Sequence, residues 1–488
     1  MNYKMIGRFL SQIIAIEAFF MLPALGISFF RGETAATTAF LYTIGICAAV
    51  AGLLYLICRG AGKLFGAREG LVCVGFSWVV LSLLGALPFV LSGEIPHYID
   101  ALFETISGFT TTGASILAAP ASLADGIQYW RCFTHWLGGM GVLVFLLAVV
   151  PSGEKDTGFT MHLLRAESPG PDVGKLVPKM KNTALILYMI YIVMTVLNVI
   201  FLLLDGSLNV LQAICTAFGT AGTGGFGIFN DSLGSCTPYV QWVTTGFMFL
   251  FGINFSCYFL LLLRQFKAVV KDEELRLYIA LAVCAVLLIA FNIWKTAPTF
   301  QTVGETVRHS AFQVSSIITT TGFSTVDFGQ WPAFSKGILL MLMLTGACAG
   351  STAGGFKIGR VLLVFKSLRR NIQQILNPKK VQIVRNNGNP VSETVLANTN
   401  AYLGAYVLII VFCYLVISLD GNTIGTNLSA VLACFNNIGP GMEAVGPMCN
   451  FGHLSDLSKI TLSLAMLAGR LEIFPILTLL SPKTWKRR

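Results

Sequence analysis

Charge is what this sequence has least of. Asp, Glu, Lys and Arg make up 11% of its 488 residues, against roughly 25% in an ordinary soluble domain. Hydrophobic residues supply 55%. A water-soluble enzyme of this length would need far more polar surface, so that class is excluded, as are disordered and fibrous chains. The five histidines do not cluster, and the twelve cysteines form no CxxC pair. Cysteines inside apolar runs, such as Cys47, Cys257, Cys284 and Cys413, read as buried packing rather than metal ligands. Cys236 and Cys449 fall in loops, where a bridge is left open. An intramembrane enzyme would need a metal cluster, a nucleophile or paired acids, yet there is no HExxH, no GxSxG and no facing carboxylate pair. The glycine-rich stretches 219–227 and 350–357 look superficially like nucleotide loops. Neither opens a βαβ unit, and the second lacks the Gly-Lys-Ser/Thr ending.

What is present in quantity is membrane-length apolar sequence. Stretches able to cross ~30 Å of hydrocarbon fall near 9–30, 38–58, 71–92, 127–150, 182–204, 238–263, 275–294, 334–364, 398–419 and 457–480. The first is too long for a signal-peptide core and is followed at once by another, which favours an uncleaved helix. The net charge of +10 would suggest nucleic acid in a soluble protein. Here 24 of the 33 Lys and Arg fall in alternate segments: 1–8, 59–70, 151–181, 264–276, 365–397 and 481–488. That asymmetry places both termini in the cytoplasm and leaves no role for nucleic acid. The opposite loops hold twelve acids, including Glu94, Asp125, Asp231, Asp327 and Asp456. These either gather cations at a pore mouth or simply solvate the loops. Glu17, in the first span, reads as a local structural contact.

Beyond the first two spans the chain divides by four. Each unit has a span, a short apolar segment ending in Thr and Gly, and a second span. The short segments end as Phe109-Thr110-Thr111-Thr112-Gly113-Ala114, Ala221-Gly222-Thr223-Gly224-Gly225-Phe226, Ile318-Thr319-Thr320-Thr321-Gly322-Phe323 and Phe435-Asn436-Asn437-Ile438-Gly439-Pro440. A small residue stands six positions before each final glycine: Ser107, Gly219, Ser316 and Ala433. One TTTG means nothing, but four related elements at matching places carry weight. A segment half the length of a spanning helix can enter the membrane and return, but cannot cross it. Irregular backbone at that depth is tolerated only where protein buries it or water lines it. Four such stretches around one axis would present a ring of carbonyl oxygens able to replace the hydration shell of a monovalent cation. The competing reading, helix packing through small residues, predicts spacings of three or four rather than contiguous runs. The expected fold is an all-α polytopic membrane protein: two leading helices (1–65) and four pseudo-fourfold helix–pore-loop–helix repeats (66–151, 152–265, 266–370 and 371–488) around a central pore.

Two further features stand out. The span 334–364 carries Gly346, Gly350, Gly354 and Gly355, with Ser351 and Thr352 between and Lys357 after them. Glycine disfavours helix by ~1 kcal/mol per residue, so the run suggests either a mid-membrane break or close helix packing. Arg470 lies inside the last span, where a charge costs at least ~2.5 kcal/mol on insertion scales. It is either a positive barrier on a water-filled pathway or half of a buried ion pair. Glu472, two residues on, would point elsewhere on a straight helix.

Several stretches together resemble the TrkH family, the membrane subunits of bacterial Trk potassium-uptake systems within the Trk/Ktr/HKT superfamily. They are Trp130-Arg131-Cys132-Phe133-Thr134-His135-Trp136-Leu137-Gly138-Gly139-Met140-Gly141, Ala166-Glu167-Ser168-Pro169-Gly170-Pro171, Gly346 to Lys357, Asn437-Ile438-Gly439-Pro440-Gly441, and Gly469-Arg470-Leu471-Glu472-Ile473-Phe474-Pro475. The two leading spans fit this family better than Ktr-type subunits. The resemblance implies a potassium filter whose backbone carbonyls come from Thr111, Thr112 and Gly113; Thr223, Gly224 and Gly225; Thr320, Thr321 and Gly322; Asn437, Ile438 and Gly439. The second element is unusually rich in glycine and the fourth replaces Thr with Asn and Ile, so the ring would be only pseudo-fourfold. It further implies a gate made of Gly346, Gly350, Ser351, Thr352, Gly354, Gly355 and Lys357, with Arg470 beside it. The chain would bind no cofactor, carry potassium as its substrate with rubidium and sodium as further candidates, and sit in the bacterial inner membrane. A homodimer and a peripheral cytoplasmic nucleotide-binding regulatory subunit would be its partners; the basic segments 151–181 and 365–397 offer surface for that subunit, or for anionic lipid. The alternatives are a sodium-dependent Ktr-like potassium transporter and, from a different class, a polytopic membrane enzyme.

Overall fold

The computed structural model describes residues 2–60, 67–139, 141, 180–296, 300–379 and 382–485. The lower end of the 127–150 span, residues 151–179 of the basic segment 151–181 and the Ala166–Pro171 stretch lie outside the described residues. Described residues form helices almost throughout: α1 (Tyr3–Phe20), α2 (Leu22–Arg31), α3 (Thr34–Ile57), α4 (Ala67–Gly85), α5 (Leu87–Leu91), α6 (Tyr98–Phe109), α7 (Asp125–Gly139), α8 (Met180–Leu203), α9 (Val210–Ala221), α10 (Pro238–Phe251) and α11 (Phe255–Leu262). There follow α12 (Phe266–Lys271), α13 (Glu273–Thr296), α14 (Val303–Ile318), α15 (Ala333–Thr345), α16 (Ile358–Leu376), α17 (Glu393–Ile417), α18 (Ile424–Phe435), α19 (Asp456–Arg470), α20 (Phe474–Leu480) and α21 (Pro482–Trp485). Between α16 and α17 a two-residue ladder, β1 (Arg385–Asn386) with β2 (Asn389–Pro390), pairs antiparallel across Asn387-Gly388. Both turn residues have positive φ, as a tight hairpin turn of this length requires.

Among the described residues, six helical segments are long and apolar enough to cross a membrane, and α10 with α11 forms a seventh only as a pair bent by 89°. The sequence suggested ten spans. The shortfall lies in spans that are broken or only partly described: α10/α11, α15/α16 and α19/α20 each part at a non-helical stretch inside the apolar run. A glycine run announced only the second break.

The short helices α6, α9 and α18 have 12 residues each, and α14 has 16. At 1.5 Å per residue they reach ~18–24 Å, less than the hydrocarbon thickness. Their starts are capped: Asn209 and Gln212 form a capping box on α9, and Thr302 and Thr423 cap α14 and α18. Each short helix packs on the span that follows it, and that span packs on the next short helix. The sequence α6, α7, α9, α10, α14, α15, α18, α19 thereby closes back on α6. The first spans of the four units, α4, α8, α13 and α17, lie against the short helices α6, α9, α14 and α18 respectively. The leading helices α1 to α3 pack on α4, α5 and α7. Glu17 on α1 is buried against Gly85 and neither carboxylate oxygen has a hydrogen-bond partner among the described residues. Its local contact is steric, not hydrogen-bonded.

A buried charge pair locks the first unit. Arg131 Nε on α7 donates to Glu104 Oε1 on α6 at 2.7 Å, with the two side chains 2% and 0% exposed. Glu104 also accepts from Ser115 Oγ and from the Ile116 N–H, both at 2.9 Å. Removing one member of such a pair strands a charge at a cost of about 3–5 kcal/mol. Glu104→Ala should therefore lower the thermal unfolding midpoint of the purified protein in detergent well beyond any loss from an exposed acid such as Glu393→Ala. Equal midpoints for the two variants would show that the pair does not hold this unit together.

Candidate functional site: a ring of four loops

Each short helix ends in the same way. The N–H groups of Thr112, Gly224, Thr321 and Ile438 donate to the carbonyls of Ser107, Gly219, Ser316 and Ala433, all at 2.8 Å. One residue earlier, Thr111, Thr223, Thr320 and Asn437 donate to Gly108, Thr220, Ile317 and Cys434 at 3.1–3.2 Å. This is the Schellman termination. It explains the small residue six positions before each glycine: that residue's carbonyl accepts the bond that turns the chain.

The residue in the left-handed position of this motif is usually glycine. Here it is Thr111 (φ 56°), Thr223 (φ 53°), Thr320 (φ 55°) and Asn437 (φ 55°). A β-branched residue there is a genuine outlier, and each costs of order 1–3 kcal/mol unless the surroundings impose it. The glycine two residues on also has positive φ, at 79°, 75°, 89° and 99° for Gly113, Gly225, Gly322 and Gly439. Left-handed residues placed one apart rotate successive peptide planes away from the alternation of a strand. Among the described residues no donor reaches the carbonyl oxygens of Thr111, Thr112, Thr223, Gly224, Thr320, Thr321, Asn437 or Ile438. Thr111, Thr112, Thr223, Thr320, Thr321, Asn437 and Ile438 are all fully buried. Buried backbone carbonyls normally find a partner, so this concentration is exceptional.

The glycines show that the four loops meet. A side chain on Gly113 would collide with the carbonyl of Gly224, one on Gly225 with that of Thr321, one on Gly322 with that of Ile438, and one on Gly439 with that of Thr112. The sequence of contacts runs from loop one to two, three, four and back to one. No residue with a Cβ fits at this approach distance. Above the ring lies a cavity of about 110 Å³ lined by all four glycines, by Ala114, Phe226, Ser324 and Pro440 just beyond them, and by outer-loop groups such as Asn230 and Asn450. No carboxylate lines it. The acids of the outer loops instead serve locally: Asp125 pairs with Arg31 at 2.9 Å, and Glu443 accepts from Thr426 Oγ1 at 3.1 Å.

Helix α7 is the brace behind loops one and two. His135 Nδ1 donates to the Gly108 carbonyl at 2.8 Å, while its Nε2 accepts from the Phe226 N–H at 3.1 Å. That pairing requires the neutral ring with the proton on Nδ1. Arg131 donates to the Gly227 carbonyl at 3.0 Å, and its guanidinium lies 3.8 Å from the Phe226 ring centre. Loop four is tied to loop one by Asn437 Nδ2, which donates to Thr112 Oγ1 at 2.9 Å and to the Met466 carbonyl at 3.0 Å.

On the side of the ring opposite the cavity, a non-helical loop separates α15 from α16. Gly346 ends α15 at φ 67°, ψ −164°, a conformation open essentially to glycine alone. The loop is closed on itself by the Ile358 N–H donating to Ala347 O at 3.0 Å. It touches the ring directly: the Gly354 N–H donates to Thr320 Oγ1 at 2.7 Å, and a side chain on Gly354 would strike Asn436 and Asn437. Lys357 is buried and its ammonium turns back to Ala353 O inside the loop. Arg470, at the end of α19, donates to Thr352 O at 2.8 Å in the loop and to Gly138 O and Gly139 O at 2.5 and 2.8 Å on α7. Glu472 pairs instead with Arg360 on α16. The structure thus brings all twelve ring residues together; the loop meets them at Gly354 and Gly355, while Arg470 and Lys357 bond to the loop and, for Arg470, to the end of α7 rather than to the ring.

Sequence reasoning missed two participants. The bend between α10 and α11 abuts this loop, with Cys348 N–H donating to Gly252 O at 3.2 Å and Phe255 N–H to Gly350 O at 3.0 Å. Gly252 and Asn254 inside an apolar run were the available signal. Glu274, at the start of α13, accepts from one amide of the loop, Ala349, and from one in the first turn of α16, Gly359; an acid in a helix's first turn is common enough to carry no signal of its own. All twelve cysteines are free, Cys236 and Cys449 included.

Comparison with known proteins gives a consistent picture. The profile of the cation transport protein family TrkH matches residues 36–487. The Trk system potassium uptake protein TrkH of Salmonella typhimurium is 33% identical over the full length of both chains. The Trk system potassium uptake protein TrkG of Escherichia coli is 30% identical over 99% of each. The crystal structure of the potassium transporter TrkH from Vibrio parahaemolyticus superposes with a TM-score of 0.88 at 28% identity, covering both chains completely.

The closeness of the ring can be separated from its backbone strain. Gly93 has φ 80° and open space around its Cβ position, whereas Gly113 has φ 79° and a neighbouring carbonyl. Gly93→Ala should cost only the left-handed strain, about 1 kcal/mol. Gly113→Ala should cost that plus the displacement of loop two, seen as a clearly larger drop in thermal midpoint. Equal losses would mean the loops have room to part.

Proposed function

The chain belongs to the TrkH family of cation transport proteins, and from this premise we propose that it takes up potassium through the four-loop ring. The observation that supports this most directly is the set of eight carbonyl oxygens left without a protein donor at a closed, fourfold junction. A potassium ion stripped of water needs such a cage, and rings of backbone carbonyls supply it. The filter is formed by Thr111, Thr112, Gly113, Thr223, Gly224, Gly225, Thr320, Thr321, Gly322, Asn437, Ile438 and Gly439. Their side chains pack outward and hold the strained backbone; the oxygens face the ion. The short helices also point their negative ends at the ring, which favours a cation there. No bond is made or broken, so the protein is not an enzyme, and potassium is its substrate rather than a resident cofactor.

The loop from Gly346 to Lys357 acts as the gate. It lies under loops three and four and is held by Arg470 to the end of α7. A guanidinium at that place raises the electrostatic barrier to a cation leaving the filter, and its three carbonyl bonds hold the loop shut. Uptake follows from an inner-membrane location with both termini in the cytoplasm, so that the 110 Å³ cavity opens outward and the membrane potential drives entry. The protein works as a homodimer under a peripheral cytoplasmic nucleotide-binding subunit, which engages the basic inner segments.

Purified protein in liposomes should take up rubidium in a saturable way, with potassium competing strongly and sodium weakly. Uptake indifferent to potassium would remove the filter assignment. Arg470→Ala should raise the rubidium rate by roughly tenfold, since it deletes three charge-assisted bonds and a positive charge. A folded Arg470→Ala protein with unchanged flux would show that Arg470 is only structural.

A further inference from the structure

The intramembrane loop is tied together by a residue outside it. Glu274, in the first turn of α13, points one carboxylate oxygen at both ends of the loop. Oε1 accepts from the Ala349 N–H at 2.6 Å and from the Gly359 N–H at 2.9 Å. Residue 349 precedes the glycine-rich turn and residue 359 lies in the first turn of α16. These two amides have no helical partner of their own, the first because it sits in a loop, the second because a helix start leaves its N–H groups unpaired. A side chain at Gly359 would press on the same carboxylate oxygen, so the approach is tight. A further loop closure, Ile358 N–H to Ala347 O, joins residues close to the two tied ones.

The platform that carries Glu274 is itself fixed from the cytoplasmic side. Its neighbour Glu273 forms an ion pair with Lys366 on α16, and the Glu273 N–H donates to Asn387 Oδ1 at 2.9 Å. Asn387 Nδ2 donates to Asp272 Oδ2 at 2.8 Å. Asn387 is the turn residue of the β1–β2 hairpin, and Lys366 also donates to the Arg385 carbonyl at 2.7 Å. The hairpin therefore rests on the start of α13, one residue from the carboxylate that holds the loop.

We propose that Glu274 is a positioning residue for conduction: its carboxylate latches the two ends of the intramembrane loop and keeps it closed beneath the filter, while the β1–β2 hairpin holds the latch in register. The inference rests on the gating role given to the loop above. Opening the loop must separate Ala349 from Gly359 or carry both off the carboxylate. Either movement costs both hydrogen bonds to the carboxyl oxygen and leaves two amides without a partner. Glutamine keeps an acceptor oxygen without the charge, and alanine keeps neither.

The test uses the full chain in liposomes, with rubidium influx and the potassium-over-sodium competition ratio read for the parent, Glu274→Gln and Glu274→Ala. The expected order of influx is alanine above glutamine above parent, with alanine higher by roughly tenfold, and with the competition ratio unchanged because the ring is untouched. Alanine influx equal to the parent overturns the proposal. So does raised influx with a collapsed competition ratio, which would place Glu274 in support of the filter instead. If the alanine variant does not purify as a single species, amide hydrogen exchange decides. Residues 346–359 should exchange faster in Glu274→Gln than in the parent, and equal exchange overturns the latch. A parent without rubidium influx fails the transport reading and not this one, since exchange at 346–359 can still be compared.

Discussion

A backbone carbonyl inside a bilayer has no water to turn to, and that constraint organises this molecule. Helices satisfy their own polar groups, so the chain is helical nearly wherever it meets lipid. Four of the places where it leaves the helix within the bilayer, one after each short helix, meet at one junction. There the Schellman bonds consume the last helical carbonyls, and the next two carbonyls in each loop are left over. Under the proposed function, a potassium ion completes them. The strain of three threonines in left-handed geometry is tolerated because the eight-helix ring holds them in place.

Below the ring the fourfold pattern gives way. The bend at Gly252, the loop after Gly346 and the end of α19 at Arg470 are three separate defects in three different spans. Each would be costly alone. Placed together, they supply one another: Gly252 O accepts from Cys348, Gly350 O from Phe255, and Thr352 O from Arg470. A region built from mutually satisfied breaks has few helical bonds to lose when it rearranges. This is the physical contrast between the tightly packed ring and the loop beneath it, on which the proposed filter and gate rest.

Buried charges mark the two ends of this arrangement. Arg131 and Glu104 sit beside the outer cavity, and Arg360 and Glu472 sit beneath the loop. Neither pair is a strong source of net stability, because desolvation offsets most of the attraction. Their value is positional: each fixes an irregular segment to a helix. Arg131 reaches the Gly227 carbonyl, and Arg360 stacks 4.1 Å from the Tyr402 ring while holding Glu472, where φ is positive. Arg470 differs, because its bonds run to carbonyls of two different units.

Composition, loop charge and the four Thr/Gly elements determined the class, the helical membrane fold and the places of the four loops, because each depends on local properties: apolar length, Lys and Arg bias, and a turn that needs a small residue six places before a glycine; the twelve individual positions came from the family resemblance. Gly346 announced its break because glycine alone takes that backbone conformation. Other features had no local signature. That Glu472 pairs with Arg360 depends on a helix ending at Arg470. That no acid among the described residues lines the cavity above the ring depends on where the loops fold. Glu274 reads as an ordinary helix-start carboxylate until α13 is set beside the loop. Those are contacts between residues far apart in the chain, and packing alone decides which carboxylate meets which amide.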